Sequence, residues 1–260
     1  MTIDRTTILH ALRATLEPRP DVLAMWEGGA AAFDRVDEWS DIDLQLLCED
    51  DRVEETFDAV ESTLADLAPI EKRFRLPEPT WHGHAQAFYR LEGTSPFLMI
   101  DLVIMKRSAG ERLREQETHG TSVIHFDKEG LLGEEHVDRA AMRAQIGKRL
   151  AQMEATFELF QPLVLKELNR GNDIEAVQYY HGMTLRPLLE LLRINHAPAR
   201  YTFHTRYVYY DLPADVVARL APLFFPVDGD DLRRAHAEAG AWFADLLATT
   251  RLDDIASRLS

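Results

Sequence analysis

The chain has 260 residues, a formal net charge of −15 and one cysteine. That length allows one large domain or two modest ones with real cores. The lone Cys48, beside Leu46 and Leu47, excludes an intramolecular disulfide or a cysteine-based zinc cluster and reads as a buried structural thiol; no stretch approaches the ~20 apolar residues of a membrane helix. Residues 1–135 carry 28 acidic and 14 basic side chains, and residues 136–260 carry 16 and 15. The first half therefore repels nucleic acid and attracts a cationic small partner, although an acidic surface also serves solubility alone.

Residues 1–16 are charged and amphipathic, with no apolar leader segment or cleavage site, and read as a mature cytoplasmic start with a short helix over 5–16. Residues 22–27 predict a strand that runs into Gly28-Gly29. Residues 30–36 have helical composition, and 40–48 read as a strand. Val53, Phe57, Val60 and Leu64 have helical spacing over 52–67. A Pro-rich loop with Pro77 and Pro79 follows. Two strands over 85–91 and 97–106 are joined by a hairpin-like Glu92-Gly93-Thr94-Ser95-Pro96, and 123–126 is a further strand.

From about His136 the pattern is helix after helix. The first run reaches Asn169 and contains Pro162, which predicts a kink or split. Residues 170–173 form a stop and a new cap. A second helix covers 174–194 with a bend at Pro187, and two more cover 213–224 and 231–249. These elements predict an α+β protein: a domain over 1–135 with a small mixed sheet flanked by helices, then an all-helical bundle over 136–260.

Asp41 and Asp43 are two apart on a predicted strand, which puts both carboxylates on one face and Ile42 and Leu44 on the other. Such a pair repels unless a cation lies between, and oxygen-only ligands suit Mg²⁺ or Mn²⁺. Asp101 is the only charged residue in Phe97–Met105. An ionised carboxylate in an apolar strand is costly unless paired or metal-bound, and Phe97, Met99, Val103 and Met105 on its face predict a dry floor. Gly28-Gly29, between strand and helix, permits close approach of phosphate oxygens. Each piece alone is common: an Asp-x-Asp strand is often a solvated edge, and a Gly-Gly turn is usually only a turn.

In this order and spacing, the pieces together resemble the signature of the DNA polymerase β-like nucleotidyltransferase superfamily: a Gly-Gly or Gly-Ser pair, Asp-x-Asp on a strand, and a third acid on a later strand. Gly28 and Gly29 match the pair, Asp41 and Asp43 the motif, and Asp101 the third acid. Asp37-Glu38-Trp39-Ser40-Asp41-Ile42-Asp43 is most similar to the antibiotic (aminoglycoside and lincosamide) adenylyltransferases, and the resemblance covers about residues 25–105. It implies a nucleotidyltransferase catalytic domain over 1–135 and a substrate- or nucleotide-binding helical domain over 136–260. The implied reaction moves a nucleoside monophosphate, by analogy AMP from ATP, onto a hydroxyl of a small acceptor such as an aminoglycoside-like antibiotic, releasing pyrophosphate. Asp41, Asp43 and Asp101 would hold Mg²⁺ or Mn²⁺, with Asp101 or a helical-domain glutamate (Glu158, Glu167 or Glu190) as general base. Gly28, Gly29 and Ser40 would contact phosphate, and Lys166 would reach the triphosphate. Arg170, Arg186, Arg193 and Arg206 read as further cations or as salt-bridge residues. Trp81-His82-Gly83-His84 reads as loop packing or an acceptor rim, and Tyr179-Tyr180 and 207–210 as core or pocket lining. A protein-nucleotidylylating enzyme of toxin–antitoxin type and a catalytically silent nucleotide-binding protein are the alternatives. No nucleic-acid or membrane partner is expected, and monomer and homodimer stay open.

Overall fold

In the computed structural model, which describes residues 3–110 and 112–258, the chain separates into two units, Met1–His136 and Val137–Ser260. The protein is α+β, a six-stranded mixed sheet flanked by helices followed by a helical region. Among the described residues no helix is long and apolar enough to cross a membrane.

The first unit runs α1 (Arg5–Leu16), β1 (Val22–Glu27), α2 (Gly29–Ala32), β2 (Ile42–Cys48), α3 (Val53–Leu67), β3 (Ile70–Arg75), β4 (Ala85–Leu91), β5 (Ile100–Lys106), α4 (Gln116–His119) and β6 (Val123–Asp127). The sheet order is β3-β4-β5-β2-β1-β6. Among the described strands of the sheet, β2 and β5 form the one parallel pair. Alternation sorts their side chains. Ile42, Leu44, Leu46, Ile100, Leu102 and Ile104 are buried with Ile8, Leu12 and Leu16 of α1 and Phe57, Val60 and Leu64 of α3. Each fully buried aliphatic contributes roughly 1.5–3 kcal/mol, so this face fixes the register. The alternate residues, Asp43, Gln45 and Asp101 among them, take the other face, next to a small cluster of Ala24, Trp26, Leu47, Val103 and Met105. Cys48 is fully buried, and burial pushes its thiol up to about 11.

Four local expectations change, the first being that the strand expected over 97–106 begins at Ile100, so Phe97 and Met99 lie in the loop before it. The helix expected over 30–36 is the single turn α2, because Asp34 takes a positive φ of 54° that ends it. The strand expected from Ser40 begins at Ile42, so Asp41 precedes it. The stretch after α3 contains β3, whose sequence Ile-Glu-Lys-Arg-Phe-Arg hides it: it pairs only with β4, and its charges guard an exposed edge.

The second unit holds α5 (Arg139–Arg170), α6 (Asp173–Tyr179), a π-helix (Tyr180–Leu185), α7 (Arg186–His196), a 3₁₀ segment (Pro198–Phe203), α8 (Val208–Asp211), α9 (Ala214–Leu220), a 3₁₀ turn (Ala221–Phe224), α10 (Gly229–Thr249) and α11 (Leu252–Ser257). Pro162 does not split α5, which is one helix of 32 residues. Pro187 has the larger effect. It has no N–H to give the Met183 carbonyl, and its ring crowds that turn. The helix widens there to π geometry, and the Gln161 amide donates to the Met183 carbonyl at 3.1 Å in place of the missing donor. The helix expected over 174–194 is thereby three segments. The core is built from Ile146, Met153, Phe157 and Val164 of α5, Leu188, Leu191 and Leu192 of α7, and Ala239, Trp242 and Phe243 of α10. Phe157 and Phe243 stack with centroids 3.6 Å apart.

His236 of α10 is buried with Nε2 3.1 Å from Gln161 Oε1, and desolvation, helped by Arg233, holds its pKa below the usual imidazole value. The unfolded chain therefore binds the extra proton first, so this contribution to stability is present above about pH 6.5 and is lost as pH falls through the folded-state value. Urea midpoints are expected to drop between pH 7.5 and 5.5, with a smaller drop in His236→Gln. An unchanged drop in the variant would assign the acid sensitivity elsewhere.

Candidate functional site

The parallel pairing of β2 with β5 places Asp43 and Asp101 as direct register partners. Both are half-buried, at the ends of their strands where the chain enters from loops. Those loops are tied together: the Ile42 N–H donates to the Met99 carbonyl at 2.8 Å, and Trp39 meets Phe97 edge-on at 4.9 Å. Phe97 is 49% exposed. It therefore forms a rim with Trp39, and the floor expected beneath Asp101 is supplied by the buried Val103 and Met105.

Gly28-Gly29 crosses against β2. The Gly28 N–H donates to the Asp43 carbonyl at 3.0 Å. Gly29 has φ +51°, and a Cβ there would lie 1.6 Å from Asp43 Oδ2. Only glycine satisfies both the backbone conformation and the close approach of that carboxylate. Gln45, next along the same face, lies beside Gly28, and its Oε1 is buried without a hydrogen-bond partner among the described residues.

Asp101 is oriented by a directional chain. The His84 N–H donates to His82 Nδ1 at 3.1 Å, which leaves the ring proton on Nε2. His82 Nε2 donates to Gln86 Oε1 at 2.9 Å, and Gln86 Nε2 donates to Asp101 Oδ1 at 2.6 Å. The histidine fixes the amide, and the amide fixes the carboxylate. Nothing in the sequence marked Gln86. Its signal was parity: it faces the same side of β4 as Phe88, the register partner of Asp101.

Asp41 sits just before β2. Its carbonyl accepts from the Arg5 guanidinium, which also pairs with Glu27. Glu27, at the end of β1, is buried and receives His125 Nε2 at 2.8 Å. The Arg5–Glu27–His125 cluster thus pins the approach to Asp41. Ser40 Oγ accepts from the Asp37 N–H at 2.9 Å and donates to Asp37 Oδ1 at 2.8 Å, closing the turn that leads to Asp41. The structure makes Asp43 and Asp101 register partners and leaves Asp41 in the turn just before β2. Among the described residues it gathers no group of three His, Cys, Asp or Glu side chains that could hold a metal ion.

The other expected residues lie in the second unit. Lys166 Nζ is 3.2 Å from Glu167 Oε1. Asn172 and then Lys166 and Arg170 hold the Glu167 carboxyl below the usual range, which makes it a weak base. Glu190 is buried and bidentate to Arg149 at 2.6 and 2.7 Å. Both glutamates serve ion pairs within this unit. Tyr180 is core, its hydroxyl donating to the Leu223 carbonyl.

No protein-family model matches the chain, and no curated protein matches it.

Gly29→Ala is expected to destabilise the first unit by about 1–3 kcal/mol, from the strained φ and the collision with Asp43. Chemical denaturation would read this, and a change under about 0.5 kcal/mol would show that the loop moves away freely.

Proposed function

We propose that the protein is a magnesium-dependent nucleotidyltransferase that moves a nucleoside monophosphate, AMP from ATP, onto a hydroxyl of a small cationic acceptor. The observation that carries this reading is the in-register pair Asp43–Asp101 beneath Gly29, whose missing Cβ makes room for the Asp43 carboxylate. Its resemblance to the Gly-Gly, Asp-x-Asp, later-Asp signature of the DNA polymerase β-like superfamily supports the same chemistry.

The donor set, two facing carboxylates rather than a formed group of three, has the chemistry of a hard cation's ligands. It is made of oxygens, its two facing carboxylates repel unless neutralised, and the orphaned Gln45 Oε1 alongside is one more acceptor for a hydrated ion or ligand. Asp43 and Asp101, with Asp41, would hold Mg²⁺ or Mn²⁺, which when bound lowers the pKa of a ligated hydroxyl and offsets charge on the transferring phosphoryl group.

The chain's own groups do the rest. The glycine turn admits the triphosphate close to the backbone. Asp101, oriented by Gln86, takes the acceptor hydroxyl's proton as its oxygen bonds to the α-phosphorus. The bond from that phosphorus to the bridging oxygen breaks, and pyrophosphate leaves. The Trp39–Phe97 rim offers aromatic faces to the acceptor, and the excess acid in residues 1–135 favours a cationic one.

The test is pyrophosphate release from ATP with Mg²⁺ and a panel of aminoglycosides, lincosamides and candidate proteins. Asp43→Asn and Asp101→Asn are expected to lose about a thousandfold, the scale of several kcal/mol of charge stabilisation. Gln86→Leu is expected to weaken metal affinity about 10- to 100-fold, as loss of a ligand-orienting partner does. Labelling of a protein would identify the acceptor as macromolecular. No turnover with any acceptor, and no Mg²⁺-dependent ATP binding, would sink the reading.

A further inference from the structure

Two neighbouring cavities in the second unit share Leu189, Thr205 and Phe224 as walls. The first, of about 180 Å³, continues among Val217, Leu220 and Phe225. That volume exceeds the roughly 150 Å³ apolar cavity known to hold benzene, so it takes one aromatic ring or a short alkyl chain. The second, of about 200 Å³, is lined also by His181, Arg186 and His204. Among the described residues no acidic side chain lines either one, in a chain with 44 acidic residues.

Arg186 Nη2 lies 3.3 Å from His204 Nε2. Arginine only donates, so His204 accepts at Nε2 and carries its proton on Nδ1. Among the described residues Arg186 makes no ion pair with a carboxylate, and its side chain is exposed. The guanidinium, the imidazole N–H groups and the Thr205 hydroxyl therefore present donors at the edge of an apolar hollow.

The wall carrying Thr205 is held rigidly. Arg193 is fully buried; its Nε donates to the His204 carbonyl at 2.6 Å and its Nη2 to the Arg206 carbonyl, while Nη1 pairs with the buried Asp211 at 2.7 Å. Both carbonyls flanking Thr205 are clamped, which sustains the positive φ of His204 and Tyr207. On the opposite side, the π-helix carries His181, whose ring lies 5.8 Å from that of Phe224. Widened helical turns of this kind recur at functional sites.

We propose that this joined cleft binds a small amphipathic anion, an aryl or short-alkyl carboxylate or phosphate. Its anionic group meets Arg186, and its hydrocarbon body lies among Leu189, Leu220 and Phe224. Arg186, which the sequence also offered as a further cation, has no role in the catalytic steps proposed above, and the site shares no residue with Asp41, Asp43, Asp101 or the glycine turn.

Calorimetric titration of the full chain tests this with benzoate and phenyl phosphate, against benzyl alcohol and benzylamine. At least one anion is expected to bind, with the alcohol about tenfold or more weaker and the amine not binding. Arg186→Gln, at an exposed position, is expected to weaken the anion about tenfold or more, and Thr205→Phe to block it by filling the shared wall. Asp43→Asn should bind as the wild type does, which separates this site from the catalytic proposal. Preference between the two anions identifies the head group. Equal affinity for anion and alcohol, undiminished binding by Arg186→Gln, or no binding of any probe would overturn the proposal.

Discussion

Across the parallel pair β2 and β5, Asp43 and Asp101 occupy the same register position. Like charges directly opposed on adjacent strands destabilise a sheet, so the register that opposes them is imposed from elsewhere. It comes from the other face, where Ile42, Leu44, Ile100 and Leu102 are buried against α1 and α3. A slip of one residue would turn these outward and drive the acids into the core. The apolar face therefore holds the two carboxylates together, and the surroundings of the site answer the strain this creates.

Those surroundings act in layers. Gly29 leaves the space that Asp43 fills. Gln86, oriented by His82, supplies Asp101 with a neutral donor. Arg5, anchored on Glu27, fixes the carbonyl of Asp41 where the chain enters β2. The second unit repeats the principle of a buried polar hub organising a loop. Arg193 neutralises Asp211 and holds the Thr205 loop by its carbonyls, and Gln161 supplies the donor that Pro187 withholds. In each case a backbone irregularity persists because a side chain distant in sequence satisfies it.

The regular elements were legible wherever burial on one face imposed a period. The helices at Arg5–Leu16 and Val53–Leu67 and the strands at Val22–Glu27 and Ala85–Leu91 follow their apolar spacing. Legibility failed where tertiary pairing overrode pattern. The charged β3 is a strand because β4 offers it an edge. Residues 174–194 break into π and α segments because a proline removes a donor that only Gln161 replaces.

The amino-acid pattern alone marks the candidates: Asp41 and Asp43 as two acids side by side, Asp101 as a lone acid in an apolar strand, and Gly28-Gly29 because glycine enters such turns freely. Which of them meet is set by the fold. Strand order puts Asp43 beside Asp101 and leaves Asp41 at the mouth of β2, turns Glu27 toward Arg5, and brings Gln86 and His82 into the site. It also buries Arg193 and leaves Arg186, seven residues earlier on the same helix, at a cavity edge. The reason is physical: a residue's cost in isolation is a local property that spacing reveals, whereas its partner is set by register and packing between segments far apart in the chain.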